Sequence, residues 1–318
     1  MHFTTIDRLR HSHAFGTDQP TSGERRTRLV AGLTAAFMVV EIVCGMLFGS
    51  MALLADGWHM GTHAAAIGVA AYAYGFARRH ARSSRFSFGT GKVGALAGFG
   101  SAVALAVIAL LLFGQSALRL VAPVAIRFDE AIGVAVLGLG VNLASAFILR
   151  DEHAGGRAHD HGEHDGHAHA HGHPHHDRNL RAAYLHVLAD ALTSVLAIVA
   201  LSAGKLLGWV WMDPAMGVVG SIVIASWSWG LLRDTGAVLL DAELDERGRA
   251  ELQRLIESDS DSRVADLHIW RVGPRHLAAI VSVVTHQARE PEHYKSLLAA
   301  REDLAHVTVE VHLCPGEC

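Results

Sequence analysis

The chain is short of cysteine, of net charge and of targeting features. Cys44, Cys314 and Cys318 are its only cysteines in 318 residues. That is too few for a disulfide framework, and Cys44 sits in an apolar stretch where packing accounts for it. Lys and Arg total 27 against 31 Asp and Glu, a net charge of −4, so no basic surplus points to nucleic acid. Residues 1–28 are polar and basic, with apolar sequence starting at Leu29, and no cleavable signal peptide is visible. No H-E-x-x-H string occurs, so the helical signature of a zinc hydrolase is missing. Nothing marks a catalytic residue or a bound organic cofactor, and an enzyme is not expected.

What is present is apolar sequence and histidine. Hydrophobic residues make up 51% of the chain and the mean hydropathy is +0.27, values that suit a membrane domain joined to a polar one. Six apolar segments are each long enough, at about 20 residues, to cross a bilayer. They cover 29–48, 51–76, 94–118, 128–149, 180–203 and 208–232. The expected organisation is a polar segment 1–28, a six-helix transmembrane domain 29–232 and a polar domain 233–318. Arg25, Arg26 and Arg28 precede the first segment, and Arg78, Arg79, Arg82 and Arg85 crowd the link between the second and third. The link between segments one and two carries no basic residue. The positive-inside rule therefore places both termini and the 2–3 and 4–5 links in the cytoplasm.

Two pairs of metal-liganding side chains stand four residues apart inside apolar stretches: His59 with His63, and His186 with Asp190. A step of four is slightly more than one helical turn, so each pair shares a helix face. Ionisable groups at membrane depth are costly, about 2.5–3.5 kcal/mol for an Asp on the insertion scale. A lone buried histidine packs as readily as it ligates; two spaced pairs in separate segments are better explained as one site. Three imidazoles and a carboxylate give four donors for a borderline-soft divalent cation. Metal binds the neutral imidazole and the ionised carboxylate, so loading releases protons and protonation ejects metal. Exposed to each side in turn, such a site exchanges metal for protons. Asp56, Glu41 and Asn142 are further polar groups at depth, read as supporting residues. Asp213-Pro214 reads as a helix start, with Asp capping and Pro in the first turn.

Residues 151–177 hold ten histidines among Gly, Ala and Asp, His161, His164, His169 and His171 among them. The tract has no apolar periodicity, so it reads as a disordered loop with metal-binding composition. After 233 the pattern is that of a small α+β domain of the ferredoxin-like kind. Helices are expected at 246–257 and 292–304, and strands at 267–272, 278–285 and 307–313. Its modest core makes pairing with a second copy physically reasonable. His268, His286, His293, His312 and Cys314 are its candidate ligands.

The paired ligands in the second and fifth segments, the His-rich loop and the trailing α+β domain together resemble the cation diffusion facilitator family. GSMALLADGWHM around Asp56, FSFGTGK before the third segment, YLHVLADALTS around His186 and DLHIW in the polar domain carry the likeness. It implies a membrane exporter of divalent metal in exchange for protons, dimeric through its cytoplasmic domain. His293 and His312 stand where the family often holds regulatory metal, whereas Ala265 and Val281 occupy other ligand positions. In zinc-selective members the second-segment pair is typically His-x-x-x-Asp or Asp-x-x-x-Asp, and His63 departs from that. DGWHMGTH resembles the cobalt and nickel efflux branch. Co²⁺ and Ni²⁺ are therefore the leading substrates, with Zn²⁺ as accompanying ion or as the substrate of a zinc-selective exporter. A His-rich membrane metal sensor or buffer is the alternative of another class. Lack of a targeting extension and the resemblance favour a bacterial inner membrane.

Overall fold

The structure, a computed structural model, describes 24–81, 83, 85–154, 175–242, 246–274, 276–287, 289–299 and 301–314. Side chains are described outside 24–31, 63–64, 66–67, 70, 146–154, 175–190 and 246–247. Six long helices come first: α1 (Glu24–Phe48), α2 (Met51–His80), α3 (Val93–Val121), α4 (Phe128–Ala154), α5 (His175–Leu207) and α6 (Met212–Leu239). Each overlaps an expected apolar segment. The helical backbone runs past the apolar sequence into polar residues, most at His80, Ala154 and His175, so both ends of the expected 151–177 loop are helical. Residues 155–174 lie outside the described residues. Val93–Val121, Phe128–Ser145 and Met212–Leu239 are long and apolar enough to cross a membrane, and Gly32–Phe48 and Ala191–Leu207 are shorter apolar helical stretches.

Alpha-carbon packing divides the chain into two compact units. One contains the helical stretch up to Ile67 together with Val103–Trp229; the other contains Gly68–Ala102 and the sequence from Gly230 onward. Gly68–Ala102 falls in the second unit because the link between α2 and α3 packs with the small domain. There Phe88 stands edge-on to Trp270 at 5.6 Å and to His306 at 5.4 Å. Gly91 leaves no room for a β-carbon against the Val272 carbonyl, and Lys92 pairs with Asp241.

In the helical unit, the α1–α2 turn is fixed at both ends. Gly49 takes φ +71° and Ser50 N–H donates to the Gly45 carbonyl at 3.0 Å, a left-handed glycine closure of α1. Arg119 Nη1 donates to the Gly49 carbonyl at 2.6 Å. Ser50 Oγ accepts from Leu53 N–H at 3.0 Å, the usual N-cap bond for α2. Asp213, from α6, takes the other free donors: Met51 N–H at 2.8 Å, Ala52 N–H at 3.1 Å and Ser50 Oγ–H at 2.6 Å. Its carboxylate therefore caps α2, whereas the local sequence had suggested that it caps its own helix.

Glycines set how closely these helices approach. A β-carbon at Gly57 would meet Ile42 and Glu41 at 3.0 Å, and one at Gly220 would meet Ala55 at 2.6 Å. The buried face of α6 is Asp213, Pro214, Gly217, Ser221, Ile224 and Ser228, a small-residue stripe of the kind that packs helices in lipid. The outward faces are the reverse: Leu110, Leu118 and Leu206 are 70–77% exposed.

The small domain contains α7 (Glu246–Glu257), β1 (Arg263–Gly273), β2 (His276–Thr285), α8 (Pro291–Leu298) and β3 (Leu304–Leu313). The sheet order is β1-β2-β3, with β1 antiparallel and β3 parallel to the central strand. Leu252 and Ile256 of α7 and Tyr294 and Leu298 of α8 close over Leu267, Val281, Val283 and Val309. α8 stops six residues before the expected 304, because Leu304 pairs with Leu277 in the sheet and Leu277 N–H donates to the Asp303 carbonyl.

Candidate metal-transport site

His59 lies on α2 and is 3% exposed. Its ring is 4.7 Å from the Trp227 ring of α6, tilted by 41°. Thr62 donates to the His59 carbonyl at 2.7 Å, keeping that hydroxyl bonded within its own helix. One turn earlier on α2, Asp56 is also buried. Its carboxylate accepts from Thr193 Oγ1 at 3.1 Å and from Ser194 Oγ at 2.7 Å, both on α5. Asn142 Nδ2, on α4, donates to Ser194 Oγ at 3.4 Å. Asp56 and Asn142, expected as supporting polar groups, thus belong to one chain of hydrogen bonds across α2, α5 and α4. Glu41 on α1 is fully buried and stands against Gly57 and Gly138.

His63, His186 and Asp190 fall within α2 and α5, and their side chains lie outside the described residues. His161, His164, His169 and His171 are likewise outside them. Thr193 and Ser194 were missed as participants. The signal was available, since they follow Asp190 by three and four residues and so occupy its helix face. Trp227 left no such sign, because a tryptophan in an apolar helix is unremarkable.

In the small domain three of the four candidate histidines pair closely with carboxylates. His293 Nε2 is 2.5 Å from Asp259 Oδ2, His286 Nδ1 is 2.9 Å from Asp261 Oδ2, and His268 Nε2 is 2.7 Å from Asp266 Oδ2. His312 lies on β3, the far side of β2 from His268. Cys314 is disulfide-bonded. Among the described residues, no group of three His, Cys, Asp or Glu is arranged to hold a metal ion. Hydrogen bonds from the His286 backbone N–H, the Thr285 hydroxyl and the His286 ring hold the Asp261 carboxyl down to about 2. The hydrogen bond from His293 likewise lowers that of Asp259, helped by the charge of Arg289.

Helices with apolar exteriors around a buried Glu41, Asp56, His59, Ser194, Asp213 and Ser221 invert the pattern of a water-soluble protein. Lipid in place of water explains the exterior, and ionisable groups kept in such an interior are characteristic of proteins that carry ions. This is an integral membrane protein built to move ions.

The chain belongs to the cation diffusion facilitator family: the family described as "Cation efflux transmembrane domain" matches residues 28–240. It is 32% identical over 313 residues to the zinc transporter ZitB of Escherichia coli K12, covering 96% of this chain and 92% of that one. It is 30% identical to the cation efflux system protein CzcD of Alcaligenes sp. strain CT14, covering 96% and 91%. A cadmium, cobalt and zinc/H(+)-K(+) antiporter of Bacillus velezensis is 27% identical over 82% of this chain and 76% of its own. Divalent metal cation efflux is the activity these relationships define.

Proposed function

We propose that the protein exports a late first-row divalent cation in exchange for protons, through a site formed by His59 and His63 of α2 with His186 and Asp190 of α5. The observation that carries this reading is the Asp56 bridge to Thr193 and Ser194. It fixes α2 and α5 face to face one helical turn from His59 and one from Asp190. In a six-span bundle α2 and α5 run antiparallel. Moving inward along α2 from Asp56 then reaches His59 and His63, while the same movement along α5 from Ser194 reaches Asp190 and His186. Each step is about 1.5 Å per residue, so the pairs stay level and four donors surround one ion. Three nitrogens and one oxygen suit cobalt, nickel and zinc over hard oxygen-seeking ions.

Proton exchange follows from the same ligands, because an imidazole with an unperturbed pKa of about 6.5 cannot hold proton and metal at one nitrogen. The name of the Bacillus relative, which includes H(+), supports this coupling. His63 in place of a carboxylate favours Co²⁺ and Ni²⁺ as leading substrates. The zinc named for ZitB favours the second reading, a zinc exporter. The small domain is assigned as cytoplasmic and ferredoxin-like, joining two copies of the chain, and the membrane as a bacterial inner membrane. Uptake of Co²⁺, Ni²⁺, Zn²⁺, Mn²⁺ and Cd²⁺ into proteoliposomes tests the reading. His63→Asp is expected to shift preference toward zinc or cadmium, and Asp190→Ala to abolish transport. An unchanged metal profile for His63→Asp removes the account of selectivity; an active Asp190→Ala removes the site.

A further inference from the structure

Glu41 is a buried carboxyl of the helical unit that neither the proposed transport site nor the Asp213 cap uses. It lies on α1, is 0% exposed, and neither of its oxygens has a hydrogen-bond partner among the described residues. Its surroundings are cut to fit it. Gly57 of α2 leaves 3.0 Å between a notional β-carbon and Glu41 Cβ, and a β-carbon at Gly138 of α4 would overlap the Glu41 carboxyl itself. The Phe37 ring bounds the same gap. Two helices thus give up side chains to admit an acid that receives no donor from the described residues.

Asp56 is the charged neighbour of Glu41, from α2, and His59 lies one turn further along that helix. The nearby polar residues of α4 and α5, Asn142, Thr193 and Ser194, do not titrate. The two carboxyls are unequally provided for. Asp56 receives the Thr193 and Ser194 hydroxyls; Glu41 receives no donor from the described residues. Enclosed carboxyls near one another do not both ionise readily, and the one with donors keeps the charge. Of the two, Glu41 is the one that the described residues leave without a donor, which suits it to carry a proton.

We infer that Glu41 is a proton-binding residue of the transport cycle, separate from the four proposed metal ligands. The inference rests on the antiport reading above. When the bundle opens, water reaches the Glu41 carboxyl, its O–H bond breaks and the proton passes to that water. The carboxylate takes a proton from the opposite side once the metal has left. One exchanged proton then travels on α1 rather than on an imidazole. Asp56 couples the two sites, since a change in its hydrogen bonds to α5 changes the field at Glu41.

The test uses the full chain in proteoliposomes, with zinc and cobalt flux and internal pH recorded together. Wild type is expected to show proton counterflow with metal entry. Glu41→Gln is expected to bind zinc calorimetrically like wild type, while its proton-to-metal ratio falls by about one and the pH dependence of transport flattens. Glu41→Asp, which restores an ionisable group, is expected to recover the ratio. Gly138→Ala, which displaces the carboxyl without altering it, is expected to lower the ratio. An unchanged ratio and pH profile in Glu41→Gln overturns the assignment while leaving antiport intact. Wild type without counterflow overturns antiport, and the assignment with it. Should Glu41→Gln fail to insert, Gly138→Ala decides: a lowered ratio supports the assignment and a wild-type ratio overturns it.

Discussion

Asp213 offers a direct measure of how much one long-range contact holds the helical unit together. It is 1% exposed and accepts three hydrogen bonds at the start of α2, from Ser50 Oγ, Met51 N–H and Ala52 N–H. Ser50, Met51 and Ala52 are themselves no more than 2% exposed, so water does not readily replace the carboxylate. A buried donor left without an acceptor costs about 1–3 kcal/mol. Three such donors set the expected loss for Asp213→Ala at about 3 kcal/mol or more. Asp213→Asn keeps one acceptor oxygen and is expected to lose about 1–2 kcal/mol. Ser221→Ala, at an equally buried position of α6 whose hydroxyl bonds to the local Val218 carbonyl, serves as control and is expected to lose under about 1 kcal/mol. The assay is unfolding of the detergent-purified protein by SDS titration, followed by helical circular dichroism. A double-mutant cycle with Ser50→Ala is expected to give coupling of about 0.5–3 kcal/mol. Asp213→Ala within about 1 kcal/mol of wild type, or no coupling to Ser50, refutes the trans-cap.

Two further outcomes follow from the other unit. Gly91→Ala forces a β-carbon against the Val272 carbonyl and is expected to undock Phe88 from Trp270 at about 1–3 kcal/mol; protease nicking in the α2–α3 link reports it, and wild-type resistance counts against the contact. The Asp261 carboxyl is lowered in the folded chain to about 2, against an ordinary value of about 3.9. Its contribution to stability is thus complete above about pH 4 and is lost as the pH falls through about 2. Asp261→Asn should lose stability at neutral pH and show a weaker acid dependence between those values, read from fluorescence unfolding curves. An acid limb identical to wild type would show that Asp261 plays no part in it.

The His-x-x-x-His and His-x-x-x-Asp spacings were readable in the sequence because helical periodicity is local: four residues return to one face whatever the rest of the chain does. The same holds for the six apolar stretches and for α7, whose Glu246–Glu257 bounds follow from its amphipathic pattern. The end of α8 was not readable, since helix propensity through 304 was overridden by the pairing of Leu304 with Leu277. Glu41, Asn142 and Asp56 stood out as polar residues at depth, but which of them finds a donor is a question about neighbouring helices. Asp56 bonds across 137 and 138 positions of chain, and Asp213 across 161 to 163. No local pattern encodes such pairings, because they depend on which glycines let the helices approach. Sequence alone determined the helical spacing of the His and Asp pairs and the positions of the apolar stretches, because both patterns are local. Tertiary structure decided which carboxyl is satisfied, which finds no donor among the described residues, and which helix Asp213 caps, because hydrogen bonding is short-ranged in space and indifferent to separation along the chain.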